Sequence, residues 1–153
     1  MNKAPHFSLP DQFGAIRTLS DFAGRWLILY FYPQDDTPGC TREACEFRDD
    51  YDVLQEAGVE VVGVSKDSVA SHAKFAEKYH LTFTLLADES TKVMEAYGAW
   101  GPKKFMGREY VGAIRKTVLI NPEGMIAKEY PKVTPAGHSK KVLEDWAKLA
   151  GRA

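Results

Sequence analysis

The chain has 153 residues, 44% of them apolar, which is enough for one compact domain with a sizeable core. Twenty basic residues against twenty-one acidic ones give a formal net charge of −1 with no long run of either sign, which excludes nucleic acid and an anionic membrane surface as expected partners. The longest strongly apolar run, residues 26–32, falls far short of the roughly 20 residues a spanning helix needs, and the first residues lack a signal-like apolar segment, so the expected compartment is the cytoplasm.

In chain order, residues 7–9 and 16–19 are short extended pieces around the turn residues Asp11, Gln12, Phe13 and Gly14, an N-terminal hairpin. Ser20 then caps a single helical turn that stops at Gly24. Residues 26–32, Trp-Leu-Ile-Leu-Tyr-Phe-Tyr, are too continuously apolar for a half-exposed strand and predict a central one. A turn-rich stretch at 33–39 leads into a helix over 41–57, with apolar spacing at Ala44, Phe47, Tyr51 and Leu54 and a stop at Gly58.

Strands at 59–64 and 83–86 alternate with helices at 68–79 and 91–97, which implies βαβ connections. The stretch that follows holds Trp100, Phe105, Met106 and Tyr110 among Gly101, Pro102, Gly107 and Gly112, and reads as an irregular segment whose apolar side chains pack. Strands at 117–120 and 125–130 flank Asn-Pro-Glu-Gly as an antiparallel hairpin, and an amphipathic helix over 138–149 closes the chain.

Two cysteines occur, five positions apart, in a chain large enough not to need a disulfide for its core, so a pair used in chemistry is favoured over a staple. Cys40 falls at a helix N-terminus, where unpaired N–H groups and a partial positive charge favour the thiolate, the nucleophilic form of the side chain. The histidines at 6, 72, 80 and 138 are scattered along the sequence, and no metal site is expected.

Residues 32–45 read Tyr-Pro-Gln-Asp-Asp-Thr-Pro-Gly-Cys-Thr-Arg-Glu-Ala-Cys. Pro33, Thr37 and Cys40 meet the pattern P-x-x-x-T-x-x-C, and the longer T-P-G-C-T-x-E-A-C form resembles the peroxiredoxin Q, or bacterioferritin comigratory, group of peroxiredoxins. Residues 4–11, 97–101, 115–124 and 135–139 extend the resemblance along essentially the whole chain. Two positions depart from the group: Gln34 stands where lysine is frequent, and His6 where aspartate is.

The resemblance implies a single domain over 1–153 with a thioredoxin-like α/β fold, a central mixed sheet flanked by helices and an N-terminal β extension. It implies a thiol peroxidase in which Cys40 attacks a hydroperoxide, with Arg115 at the position of the guanidinium that approaches the sulfur. Attack shifts negative charge onto the leaving oxygen, and the Thr37 hydroxyl, Arg115 and the Cys40 N–H are the donors suited to receive it. Pro33, lacking an N–H, would shield the pocket, and Glu43, one helical turn beyond Cys40, would orient Arg115 by a bidentate contact.

The sulfenic acid formed at Cys40 would condense with Cys45, the internal thiol present. In a continuous helix, Cα atoms five residues apart are separated by roughly 8 to 9 Å. A disulfide tolerates at most about 7 Å, so the first turns of the helix should unwind when the bond forms. The resemblance further implies re-reduction by thioredoxin, a monomer, and no metal, haem or flavin. The rival readings are a dithiol–disulfide oxidoreductase, whose usual C-x-x-C spacing is absent here, and a redox sensor or chaperone-like binding protein switched by oxidation of Cys40.

Overall fold

A computed structural model describes residues 1–152, apart from the side chain of Phe105. Its centre is a six-stranded mixed sheet in the order β1-β10-β9-β4-β5-β6. The strands are β1 (Asn2–Lys3), β4 (Trp26–Phe31), β5 (Val59–Ser65), β6 (Thr84–Ala87), β9 (Lys116–Ile120) and β10 (Met125–Tyr130). The βαβ units make β4, β5 and β6 parallel, while β9 runs antiparallel to β4 and pairs with β10 across the Asn-Pro-Glu-Gly turn. β2 (Ser8–Pro10) and β3 (Ile16–Thr18) form the expected N-terminal hairpin.

The continuous apolar run of β4 is explained by burial on both faces, as in parallel sheets covered by helices. Alternate residues Ile28, Tyr30 and Tyr32 pack with α1 (Pro38–Glu56), α2 (Val69–Tyr79) and α4 (His138–Leu149) through Phe47, Leu54, Phe75, Val142 and Trp146. Leu27, Leu29 and Phe31 pack the other way, against Phe7, Phe22 and, from α3 (Lys92–Ala96) and its C-cap, Met94 and Tyr97. Among the described residues, no helix is long and apolar enough to cross a membrane.

Four features differ from the sequence reading. The single turn expected to be capped by Ser20 runs from Leu19 to Phe22 with Thr18 as its N-cap, so Ser20 lies within it. The helix expected from 41 begins at Pro38, because proline's fixed φ and missing N–H suit the first helical position, so Cys40 lies inside the first turn. Residues 2–3 add an edge strand too short to carry a periodic pattern. The stretch expected to be irregular is a regular hairpin of β7 (Trp100–Phe105) and β8 (Arg108–Ala113). Met106 and Gly107 both have positive φ there, as a two-residue hairpin turn requires, and Met106, Tyr110 and Val111 are exposed rather than packed.

Candidate active site

The C-terminal end of β4 and the start of β9 lie side by side, and the site is built across them. From β4 the chain turns through residues 33–37 into α1, with extended Thr37 as its N-cap and Pro38 as its first residue. Cys40 is almost fully buried at the third position of the helix, near the unpaired N–H groups of the first turn.

Arg115 enters from the segment before β9, and its guanidinium fork is divided between two partners. Nη2 donates to Sγ of Cys40 at 3.2 Å, and Nη1 donates to Oε1 of Glu43 at 2.8 Å. Glu43 therefore meets Arg115 through one oxygen instead of the expected two, because the other arm of the fork is spent on sulfur; Oε2 is buried without a hydrogen-bond partner. Burial pushes the Glu43 carboxyl up to about 7, against the opposing pull of Arg115. Gly39 makes the approach possible: a Cβ there would lie 3.2 Å from Nη2 of Arg115, tighter than ordinary side-chain contact.

Thr37 stands half-buried at the helix start, and its hydroxyl donates to the Gln34 carbonyl at 2.9 Å, giving no side-chain cap to the helix. Pro33 is half-buried at the opening of the same loop. Cys45 is also half-buried in α1, both cysteines are free, and burial raises the Cys45 thiol above its ordinary value, with Arg48 opposing. The structure is thus that of the dithiol, helical state.

His138 sits close behind, with Nε2 2.8 Å from the Thr117 hydroxyl; burial, then the Arg115 charge, lower its pKa to about 4. A cavity of about 570 Å³ lies at the opposite end of the sheet, beside Leu27 and Ile120, away from Cys40. Besides Gly39, the sequence reading missed Asp35, buried beneath the 33–37 loop and bonded to Tyr32, Ser71 and His72. The sequence signal for Asp35 was its polarity in a loop next to a buried strand, which many surface residues share.

Residues 1–129 match the AhpC/TSA family model. The chain is 50% identical over 141 residues to a Coxiella burnetii protein assigned as a peroxiredoxin bcp, covering 92% of this chain and 93% of that one. It is 46% identical over 145 residues to peroxiredoxin Bcp of Escherichia coli, covering 95% and 92%. Among solved structures it resembles the bacterioferritin comigratory protein of Xanthomonas campestris, studied for alkyl peroxide reduction. That likeness has a TM-score of 0.90 and 36% identity, over 94% of this chain and 92% of the other.

Proposed function

Because the chain belongs to the AhpC/TSA family, the peroxiredoxins, we propose that Cys40 is its peroxidatic nucleophile and Cys45 its resolving thiol, with Arg115 and Thr37 as donors to the reacting oxygens. The chain is a thiol-dependent peroxidase with the mixed α/β fold of the solved peroxiredoxins. The observation that carries the residue assignment is the divided guanidinium of Arg115, which touches the Cys40 sulfur while Glu43 holds its other arm.

A sulfur lone pair of the Cys40 thiolate attacks one oxygen of the hydroperoxide, the O–O bond breaks, and the leaving oxygen departs with the electron pair to be protonated as water or alcohol. Arg115 is suited to this twice over, since its charge favours the thiolate before attack and its N–H groups can receive the developing oxyanion. Thr37 joins by turning its single hydroxyl hydrogen from the Gln34 carbonyl to the peroxide, and Pro33 limits water at the loop. Glu43 keeps the guanidinium oriented. The Cys45 sulfur then displaces water from the Cys40 sulfenic acid, forming a disulfide.

Two electrons from an external dithiol, for which thioredoxin is our proposal, return both cysteines to thiols. We also assign hydrogen peroxide and organic hydroperoxides as substrates, residues 1–153 as one peroxiredoxin domain, a monomer as the working state and the cytoplasm as its location.

The test is peroxide loss after mixing the pre-reduced chain with one equivalent of hydrogen peroxide, beside Cys40→Ser and Cys45→Ser. Rapid loss abolished in Cys40→Ser, with a sulfenic acid persisting in Cys45→Ser, is the expected result. Slow loss in all three would remove the assignment and leave disulfide exchange or redox sensing as the activity.

A further inference from the structure

The 33–37 loop is tied from beneath by a polar cluster that the peroxidase chemistry does not use. His72 on α2 is fully buried, and its two ring nitrogens face acceptors on both sides. Nε2 lies 2.9 Å from the Leu86 carbonyl on β6, and Nδ1 lies 2.7 Å from Oδ2 of Asp35. A carbonyl oxygen only accepts, so Nε2 carries a hydrogen. With that hydrogen placed, a neutral ring beside an ionised Asp35 would press two lone pairs together at 2.7 Å. The contact instead needs a hydrogen between the two atoms, as imidazolium with carboxylate or imidazole with carboxylic acid.

We propose that Asp35 and His72 are a buried proton-sharing pair that positions the loop from Pro33 to Thr37, and with it the Thr37 hydroxyl and the first turn of α1, for attack on peroxide. The pair is braced on every side. Tyr32, just after β4, donates to Oδ1 of Asp35 at 2.6 Å, and Ser71 on α2 donates to Oδ2 at 2.8 Å. The Asp35 N–H donates to Asp67 at 2.9 Å, and Ser65 at the end of β5 donates to the same oxygen at 2.7 Å. Asp35, Asp67 and His72 do bring ligand-type atoms within 4.8 Å of one another, but those of Asp35 and His72 bond each other, and the Asp67 oxygen accepts from the Asp35 N–H and the Ser65 hydroxyl.

Asp35 and His72 are positioning residues, because they act on the reaction through Thr37 and the start of α1. The inference rests on the assignment of Cys40 as the nucleophile, and its test separates the two. In the reduced, ¹⁵N-labelled chain at neutral pH, the His72 Nε2 signal is expected to be that of a protonated nitrogen with a slowly exchanging hydrogen. A bare Nε2 would overturn the proton count whatever the activity.

In peroxide assays, Asp35→Leu is expected to lower the second-order rate about a hundredfold, the scale of a small misplacement at a reacting centre. Asp35→Asn supplies a permanent N–H to Nδ1 and is expected to restore most of that loss. Equal rates in Asp35→Asn and Asp35→Leu, high or low, would overturn the positioning role. Absence of peroxide turnover in the native chain would strike the Cys40 assignment and leave the Nε2 result standing.

Discussion

Arg115 reaches Cys40 across 75 positions of sequence and places Nη2 3.2 Å from its sulfur, a contact made possible by β9 lying beside β4 and by the missing side chain at Gly39. A lysine ammonium is a point charge and cannot hold Glu43 and the sulfur in the fixed geometry of a guanidinium fork. Arg115→Lys is therefore expected to lower the second-order rate with hydrogen peroxide by about a hundredfold, and Arg115→Gln by up to about a thousandfold, the range seen when one oxyanion donor is lost. Stopped-flow loss of peroxide checks this. A fall of less than about tenfold in both variants would mean that the guanidinium does not act in the transition state.

Gly39→Ala separates reach from charge. The added methyl would crowd Nη2 of Arg115 at 3.2 Å, with Pro135 Cγ at an ordinary contact distance of 3.5 Å, while every charged group remains. The expected result is a slower peroxide step in a chain whose folding is little changed, read by the same stopped-flow assay beside thermal unfolding. A native rate in Gly39→Ala would show that Arg115 has room to spare.

Disulfide formation needs Cys40 and Cys45 to come closer than helical spacing allows, and the contacts along α1 set where unwinding stops. Beyond Cys45 the helix is fastened. Glu46 accepts the Gly137 N–H at 2.8 Å, Arg48 donates to the Tyr79 carbonyl at 2.6 Å, and Asp50 accepts from Ser139 at 2.7 Å. Before it, the side-chain ties of the first turn centre on Arg115. Hydrogen exchange of the oxidised chain is expected to show lost protection at residues 41–49, since unwinding through residue 45 also strips the N–H groups up to residue 49 of their i−4 carbonyls, and native protection from residue 50 onward. Unwinding also frees Cys45 from the burial that raises its thiol, which favours the thiolate that attacks the sulfenic acid. Protection lost along all of α1 would show that these fastenings do not hold.

The parts of the molecule legible in the sequence are those where one local signal suffices. The two-faced burial of β4 was written in its unbroken apolar run, and the α1 register in Ala44, Phe47, Tyr51 and Leu54. The β7–β8 hairpin was not, because Met106 adopts positive φ that glycine or asparagine would have announced, and because the exposed Met106, Tyr110 and Val111 put apolar side chains among its outward ones. At the site, Thr37, Cys40 and Glu43 lie within one local stretch, whereas Arg115 was reached only through a family resemblance. Gly39 and the pair of Asp35 and His72 depend on contacts between distant elements, for which residue spacing carries no mark.

Two groups near Arg115 give the native state opposite responses to pH. The Glu43 carboxyl is raised from 4.5 to about 7, so the folded chain holds a proton there that the unfolded chain has lost, and stability falls as pH rises across that window. His138 is lowered from 6.5 to about 4, so its stabilising contribution is full above 6.5 and is lost as pH falls towards 4. Between 4.5 and 6.5 the two slopes oppose each other, each at most about 1.4 kcal/mol per pH unit. Glu43→Gln removes the first, and stability should then climb more steeply with pH across this interval than in the native chain. His138→Gln removes the second and keeps a polar partner for Thr117, and stability should then decline relative to native as pH rises. Urea unfolding of the reduced proteins at half-unit steps of pH measures both slopes. Parallel curves for all three chains would mean that neither group changes protonation between the folded and unfolded states in this range.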